Sequence, residues 1–562
     1  MKKYLVTSAL PYINGVKHLG NLIGSILPAD VYTRYLRQQG EKVLFICGTD
    51  EHGTPAEIAA QEANLTTEEY CTKLYNKQKE IFKQFGIKFD YFGRSSSVEN
   101  KNMTQEIFKK LDENGLINER DTKQIYSIDD KRFLPDRYVI GTCPFCGYEK
   151  ARGDQCEFCG KLLDTTQLVN PYSSISGSKN LEVRTSKHLF FDLKKMEEKI
   201  RQWVNKHKNW SNVTKGIANK WLSEGLTERC ISRDLEWGVK IPKANYENKV
   251  FYVWFDAPIA YISFTKEWAE KQGNLNNWKS WWNNNENVDY IQFMAKDNVP
   301  FHAIFFPAML LGNNTNMKLV DQIKGFNWLT YDGGKFSTSS KRGVFLDDAL
   351  TIFPADYWRY FLLSNAPESS DFDFTFDDFV AVINKDLADI LGNLVSRVCA
   401  LAHKYFDSKI PSLDLPNNED FSKIHQQLSE LLNNIDHNVR QLKFREAMKT
   451  LRKIWSFGNE YVTVNKPWEY VKNDLPKSSR IIANCFYIIK ISAISSSPFI
   501  PAIAKEMLST ISCDQDPEIT SALKVLDHNT FQSNISIPKK SILIQKIDKN
   551  EIDLLKSRFS GN

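Results

Sequence analysis

The chain has 562 residues, too long for one typical core, so several domains are expected. With 42% hydrophobic and 25% charged residues the composition is that of an ordinary globular protein, which excludes a disordered or collagen-like chain. A net charge of only +5 allows a local basic patch for nucleic acid without demanding one.

The first predicted element is the apolar, β-branched run Tyr4 to Leu10, a buried strand. Met1-Lys2-Lys3 before it is read as the strand's entry, because the apolar run is too short for a leader and contains Thr7, Ser8 and Pro11. Pro11, Asn14 and Gly15 mark a turn. Beyond the turn Leu22, Ile23, Ile26, Leu27, Val31 and Leu36 recur at helical spacing. His18, Gly20 and Asn21 thus lie where a helix begins, an end whose free N–H groups suit a phosphate. On its own such a histidine also reads as a surface or capping residue. Lys42 to Cys47 is a second buried strand, ending in Gly48-Thr49-Asp50-Glu51-His52. Asp50 there is either a helix N-cap or a ligand-facing carboxylate.

From about 116 to 235 the strand–helix alternation breaks. Cys143-Pro144-Phe145-Cys146 is followed, nine residues later, by Cys156-Glu157-Phe158-Cys159, with Gly147 and Gly160 after the two pairs. Two such knuckles read as one tetrahedral Zn²⁺ site, and four protein ligands make it structural. The other six of the ten cysteines are scattered, which is the usage of a reduced, cytoplasmic protein. Alternation resumes with an expected strand over Val250 to Phe255 and another over Tyr290 to Met294, the latter leading to His302. Trp278, Trp281 and Trp282 are expected to pack locally rather than stack on bases. Gly333-Gly334-Lys335-Phe336-Ser337-Thr338-Ser339 is a glycine turn followed by a lysine and hydroxyls. After about 381, helical periodicity dominates, as in Leu387-Ile390-Leu391-Leu394-Val398 and Phe444-Met448-Leu451-Ile454-Trp455, and predicts a helical bundle. Cys485 to Ala504 is the most apolar late stretch, but Lys490, its serines and its prolines make it a core helix rather than a membrane span.

Together, His18-Leu19-Gly20-Asn21 and Lys335-Phe336-Ser337-Thr338-Ser339 resemble the two signature motifs of class I aminoacyl-tRNA synthetases, which hold ATP in a Rossmann-like fold. With the cysteine knuckles and Trp254-Phe255-Asp256-Ala257-Pro258-Ile259-Ala260-Tyr261, the whole chain resembles the methionyl-tRNA synthetase family. The implied architecture is α/β: a Rossmann-like parallel-sheet catalytic domain split into residues 1–115 and 236–325 by a zinc-knuckle insertion, 116–235. A stem-contact region, 326–380, an α-helical anticodon-binding domain, 381–535, and a C-terminal tail, 536–562, follow.

The resemblance implies ATP-dependent joining of methionine to tRNA through methionyl-adenylate, with Mg²⁺ accompanying ATP. It gives His18, Gly20, Asn21, Lys335, Ser337 and Thr338 to ATP, with His18, Asn21, Lys335 and Arg233 in catalysis. Methionine falls to Ala9, Leu10, Tyr12, Asp50, Trp254, Ala257, Pro258, Tyr261 and His302. The anticodon falls to Asn393, Arg397, Pro467 and Trp468. Two positions depart from the usual motifs. Asn21 stands where many relatives have histidine, and Thr338 where a second lysine is usual; Lys341 or Arg342 is the expected substitute. The roughly 120-residue insertion leaves no room for the large editing domain of synthetases for other aliphatic amino acids. A catalytically dead tRNA-binding relative is the other reading set aside, because His18, Asp50 and Lys335 are present. Too few residues follow the bundle for an OB-fold barrel, so a monomer is expected, with no membrane association.

Overall fold

The computed structural model describes residues 2–153, 156, 158–159, 161, 163–284, 286–336, 341–527, 531–539 and 543–561. Its centre is a five-stranded, all-parallel sheet, in spatial order Gln322–Phe326, Val288–Ala295, Lys3–Ser8, Lys42–Thr49, Tyr91–Arg94. Parallel strands covered on both faces bury successive residues to opposite sides. Val6, Phe45 and Phe293 accordingly join the core that also holds Leu27, Val31 and Leu36 of the helix Leu27–Gln38. Leu5, Leu44 and Tyr290 join a second core with Ile262 and Phe264 of the helix Ala260–Lys271. The strand order reverses between Lys3–Ser8 and Val288–Ala295. In open α/β sheets that reversal opens a crevice at the carboxyl ends of the strands.

Two long strands, Ile117–Ser127 and Leu181–Phe191, carry the insertion away from the sheet as an antiparallel ribbon. Beyond the ribbon a small sheet of Val139–Thr142, Ala151–Arg152 and Val169–Ser173 bears the cysteines. After the fifth core strand, Leu329–Tyr331 pairs with Phe372–Phe374. The helices Asn393–Tyr405, Glu419–Arg440, Phe444–Asn465, Leu475–Ser496 and Pro501–Thr510 then form the bundle. Trp281 and Trp282 are buried, and Trp282 Nε1 donates to Thr265 Oγ1 at 2.9 Å, so these indoles do pack locally. Among the described residues no helix is long and apolar enough to cross a membrane.

The structure corrects one expectation, the extent of a strand. The strand expected over Val250 to Phe255 stops at Phe251, and Val253–Asp256 is a helical turn. A short apolar run cannot by itself separate strand from buried helix. Here Phe255 and Asp256 are wholly buried while Trp254 reaches Phe301, ring centroids 4.4 Å apart. The boundary near 381 falls inside continuous helix, since Phe376–Val382 passes through the π-helical Ile383–Gly392 into Asn393–Tyr405. The C-terminal tail carries a packed helix. Ile552, Leu555 and Phe559 bury one face of the helix Glu551–Phe559, and Phe559 packs on Phe376.

Candidate active site

The crevice at the sheet's carboxyl ends is a cavity of about 1140 Å³. That is ample for an amino acid beside a nucleotide. One end is built by the first strand and its neighbours. Ala9, Leu10 and Tyr12 follow Lys3–Ser8, and Asp50 follows Lys42–Thr49. Trp254, Ala257, Pro258 and Tyr261 come from the turn and helix after Phe251. His302 sits on the π-helical segment Phe301–Phe305 beyond Val288–Ala295. All nine residues assigned to methionine therefore line one cavity.

The polar groups at this end are tuned by burial. His302 Nδ1 lies 2.9 Å from the carbonyl of Asn298, which can only accept, so Nδ1 carries the proton. Its Nε2 then accepts from the Tyr261 hydroxyl at 2.9 Å. Burial lowers the His302 pKa to about 4, so the ring is neutral near pH 7. The Asp50 carboxyl is held well above the usual carboxylate range, by burial first and then by the nearby carboxylates of Asp256 and Glu51. Its Oδ1 is shielded from solvent and has no hydrogen-bond partner. A carboxyl so placed is completed by an arriving cation. Asp50 is no helix cap, because the following helix, Thr54–Glu62, is capped by Gly53. Tyr12 is oriented by its hydroxyl, which donates to the carbonyl of His52, and His52 Nδ1 bonds Asp256 at 2.6 Å.

The other end joins the two motifs. His18 stacks on Phe336, centroids 4.5 Å apart and planes within 8°. The backbone of Leu19 donates to Val344 at 3.2 Å, and that of Leu346 to Lys17 at 2.8 Å, so the chain on both sides of His18 is tied to the chain leaving the second motif. A Cβ at Gly20 would stand 3.0 Å from the His18 ring, so Gly20 leaves room for that ring. Gly343, at φ +99°, makes the same allowance for Phe336, whose ring a Cβ would meet at 2.3 Å. Asn21 Oδ1 accepts from the His18 backbone at 3.1 Å, which leaves its NH₂ as donor. The Lys335 ammonium lies 5.0 Å from the Trp328 ring centroid. Ser337 and Thr338 lie outside the described residues.

Of the remaining expected groups, Arg233 does not line the cavity. It pairs with Asp136 Oδ2 at 2.9 Å and lies over the Tyr252 ring at 3.7 Å. Arg342 is engaged by the carbonyls of Tyr331 and Asp332, at 3.0 and 2.9 Å. Sequence reasoning missed Trp328, Lys17, Arg137 and Arg152, all of which line the cavity. The two arginines come from the insertion, whose approach to the crevice no local pattern announces.

In the insertion the four sulfurs of Cys143, Cys146, Cys156 and Cys159 lie within 4.8 Å of one another, with Cys143–Cys159 at 3.9 Å and Cys146–Cys156 at 3.7 Å. Four thiolates about 2.3 Å from a tetrahedral ion would be about 3.8 Å apart. The tetrad therefore fits a metal ion. Gly160 is outside the described residues. Far away in the bundle, Asn393 Nδ2 donates to Asn459 Oδ1 at 3.1 Å and Arg397 to Thr463 Oγ1 at 2.9 Å. Lys466, at φ +40°, turns the chain into buried Pro467. Trp468 is left 36% exposed with the Arg397 guanidinium 5.2 Å from its ring. The patch brings all four residues together with a solvent-facing indole.

A doubly wound sheet whose crevice is closed by these two motifs defines a class I tRNA synthetase, and residues 4–399 match the family model described as tRNA synthetases class I (M). Residues 414–562 match that of the anticodon binding domain of methionyl tRNA ligase. Similar curated proteins are the methionine–tRNA ligase 1 of Acaryochloris marina, 50% identical, and the methionine–tRNA ligase of Streptomyces avermitilis, 49% identical, each alignment covering 100% of both chains. The solved Mycobacterium tuberculosis methionyl-tRNA synthetase in complex with methionyl-adenylate shares the fold, with TM-score 0.78 at 22% identity over 97% of this chain and 100% of that one. The chain belongs to the methionine–tRNA ligase family.

Proposed function

We propose that the chain attaches methionine to its cognate tRNAs, initiator and elongator, in two steps at this one cavity. The observation that carries the reading is the unpartnered Asp50 oxygen in an aromatic slot beside the joined motifs. The amino acid's ammonium would complete Asp50. Its thioether would lie against Trp254 and Tyr12, where sulfur–ring contact is favourable, with Leu10, Ala9, Ala257 and Pro258 as further walls. Neutral His302 and Tyr261 would close the sulfur end without adding charge.

In the first step a carboxylate oxygen of methionine attacks the α-phosphorus of ATP. The new O–P bond replaces the bond to the β-phosphate, and pyrophosphate leaves. His18, Gly20 and Asn21 would bind the nucleotide, and Ser337 and Thr338 would extend that contact. Lys335 would oppose the charge that develops on the leaving group, with Mg²⁺ arriving bound to ATP. Arg233, which pairs with Asp136, would act near the reacting carboxylate. In the second step a terminal ribose hydroxyl of tRNA attacks the acyl carbon and AMP leaves. Asn393, Arg397 and Trp468 would read the anticodon, with Pro467 positioning the indole.

The metal of the cysteine tetrad would be a structural Zn²⁺, one per chain, because four thiolates leave no open position. No cysteine is in a disulfide, which supports a cytoplasmic setting.

Purified protein should catalyse methionine-dependent ATP–pyrophosphate exchange, and Lys335→Ala should lower its rate by about 10²-fold or more, the loss typical of one preorganised electrostatic contact. Undiminished exchange would remove Lys335 from the reaction. Metal analysis should find about one zinc per chain, and Cys156→Ser should lose it and weaken acylation more than exchange. Trp468→Ala should cost roughly 1–3 kcal/mol of tRNA binding, read as a raised KM for tRNA with exchange unchanged; a parallel fall in both steps would make Trp468 a packing residue only.

A further inference from the structure

The groups that the two motifs bring together supply little positive charge. His18 is held neutral, its pKa lowered to about 3 by burial first and by the charge of Lys17 second. Asn21 and Thr338 are uncharged at positions where the motifs of the family it resembles usually have histidine and lysine. Arg342 is spent on the carbonyls of Tyr331 and Asp332, and Arg233 on Asp136. Of the motif groups that leaves Lys335, with the Mg²⁺ that ATP would bring, to oppose a departing pyrophosphate.

Lys17 answers this description. It stands immediately before the first motif, one residue ahead of His18, and among the described residues it is the only other lysine lining the cavity with Lys335. Only 7% of it is exposed. Its carbonyl accepts from Leu346, so its backbone is fixed to the chain leaving the second motif. Its ammonium donates to Asn14 Oδ1 at 2.9 Å, a neutral acceptor. An ammonium has three donors, and no other hydrogen bond from this one is found among the described residues. Burying a charge with so little compensation is costly unless a ligand completes it. The opposing charge that Lys17 feels is Asp50, on the amino-acid side, while His18 feels Lys17 on the other.

We propose that Lys17 is a substrate-binding residue for the phosphate chain of ATP, supplying beside Lys335 the second cation that Asn21 and Thr338 lack. The proposal rests on the adenylate-forming reading of the cavity. Exchange by the unmodified enzyme decides that reading, whereas Lys17 is decided within an active enzyme.

Exchange kinetics of the full chain should show Lys17→Met lowering kcat/KM for ATP by at least about tenfold, and raising KM for pyrophosphate, with KM for methionine within about twofold. Lys17→Arg should keep most of the activity. Adding Thr338→Lys to Lys17→Met should restore part of the loss, which a merely structural role would not allow. Labelling of the unmodified enzyme with an amine-directed reagent needs no variant: MgATP should protect Lys17 and methionine alone should not. A rise in KM for methionine with ATP kinetics unchanged, or protection by methionine alone, would place Lys17 at Asp50 instead and overturn the proposal. Unchanged kinetics in Lys17→Met would overturn it as well.

Discussion

The pairing of Asp30 with Arg359 holds the parts of this molecule in register. Both side chains are wholly buried. Asp30 Oδ2 accepts from Arg359 at 2.8 Å and from Arg34 at 2.9 Å, and Oδ1 accepts from the Lys88 backbone at 2.9 Å. Arg359 spends its other donors on the carbonyls of Phe85, Pro498 and Phe499. Burial opposes ionisation of Asp30, but the two guanidiniums hold its carboxyl below the usual range. Removing one partner of such a pair typically costs roughly 3–5 kcal/mol, because the other charge is left uncompensated. Asp30 lies on the helix Leu27–Gln38, which follows the His18 motif, and Arg359 on the helix Ala355–Ser364, which follows the Lys335 motif. The carbonyls of Pro498 and Phe499 belong to the bundle. One buried cluster therefore sets the two halves of the nucleotide end, and the tRNA-reading domain, in a common frame.

Within that frame the cavity is an electrostatic gradient. At one end Asp50, crowded by Asp256 and Glu51, favours a cation. At the other, Lys335 favours an anion and neutral His18 adds polarity without competing charge, while Lys17 lies between His18 and Asp50. In the proposed reaction an amino acid with its ammonium on Asp50 would present its carboxylate toward the phosphates, the orientation that adenylate formation requires.

Much of this was legible in the sequence because the informative signals are local. The β-branched runs at Tyr4 and Val43 mark core strands, knuckle spacing marks the tetrad, and helical periodicity marks the bundle. The slot residues were legible through the family resemblance, since a lone Trp254 or Tyr261 reads equally as core. What stayed hidden depends on tertiary approach. Val250 to Phe255 is apolar enough for a strand, yet its second half is a helical turn in which the successive Phe255 and Asp256 are both buried, and apolarity alone does not separate the two. Arg137 and Arg152 reach the cavity only because the long ribbon folds back. The terminal helix has a burial pattern, Ile552, Leu555 and Phe559, too short to stand out from its polar neighbours.

In the proposed function this cavity selects methionine by a slot closed with a neutral histidine and an aromatic wall, and passes it to tRNA. Aminoacylation of unfractionated tRNA, with each amino acid supplied in turn to the purified chain, measures that selection directly. Methionine should be attached to methionine acceptors, and leucine, isoleucine and valine far more slowly. Comparable charging with any of these three, or no charging in an enzyme that still performs exchange, would contradict the proposed function.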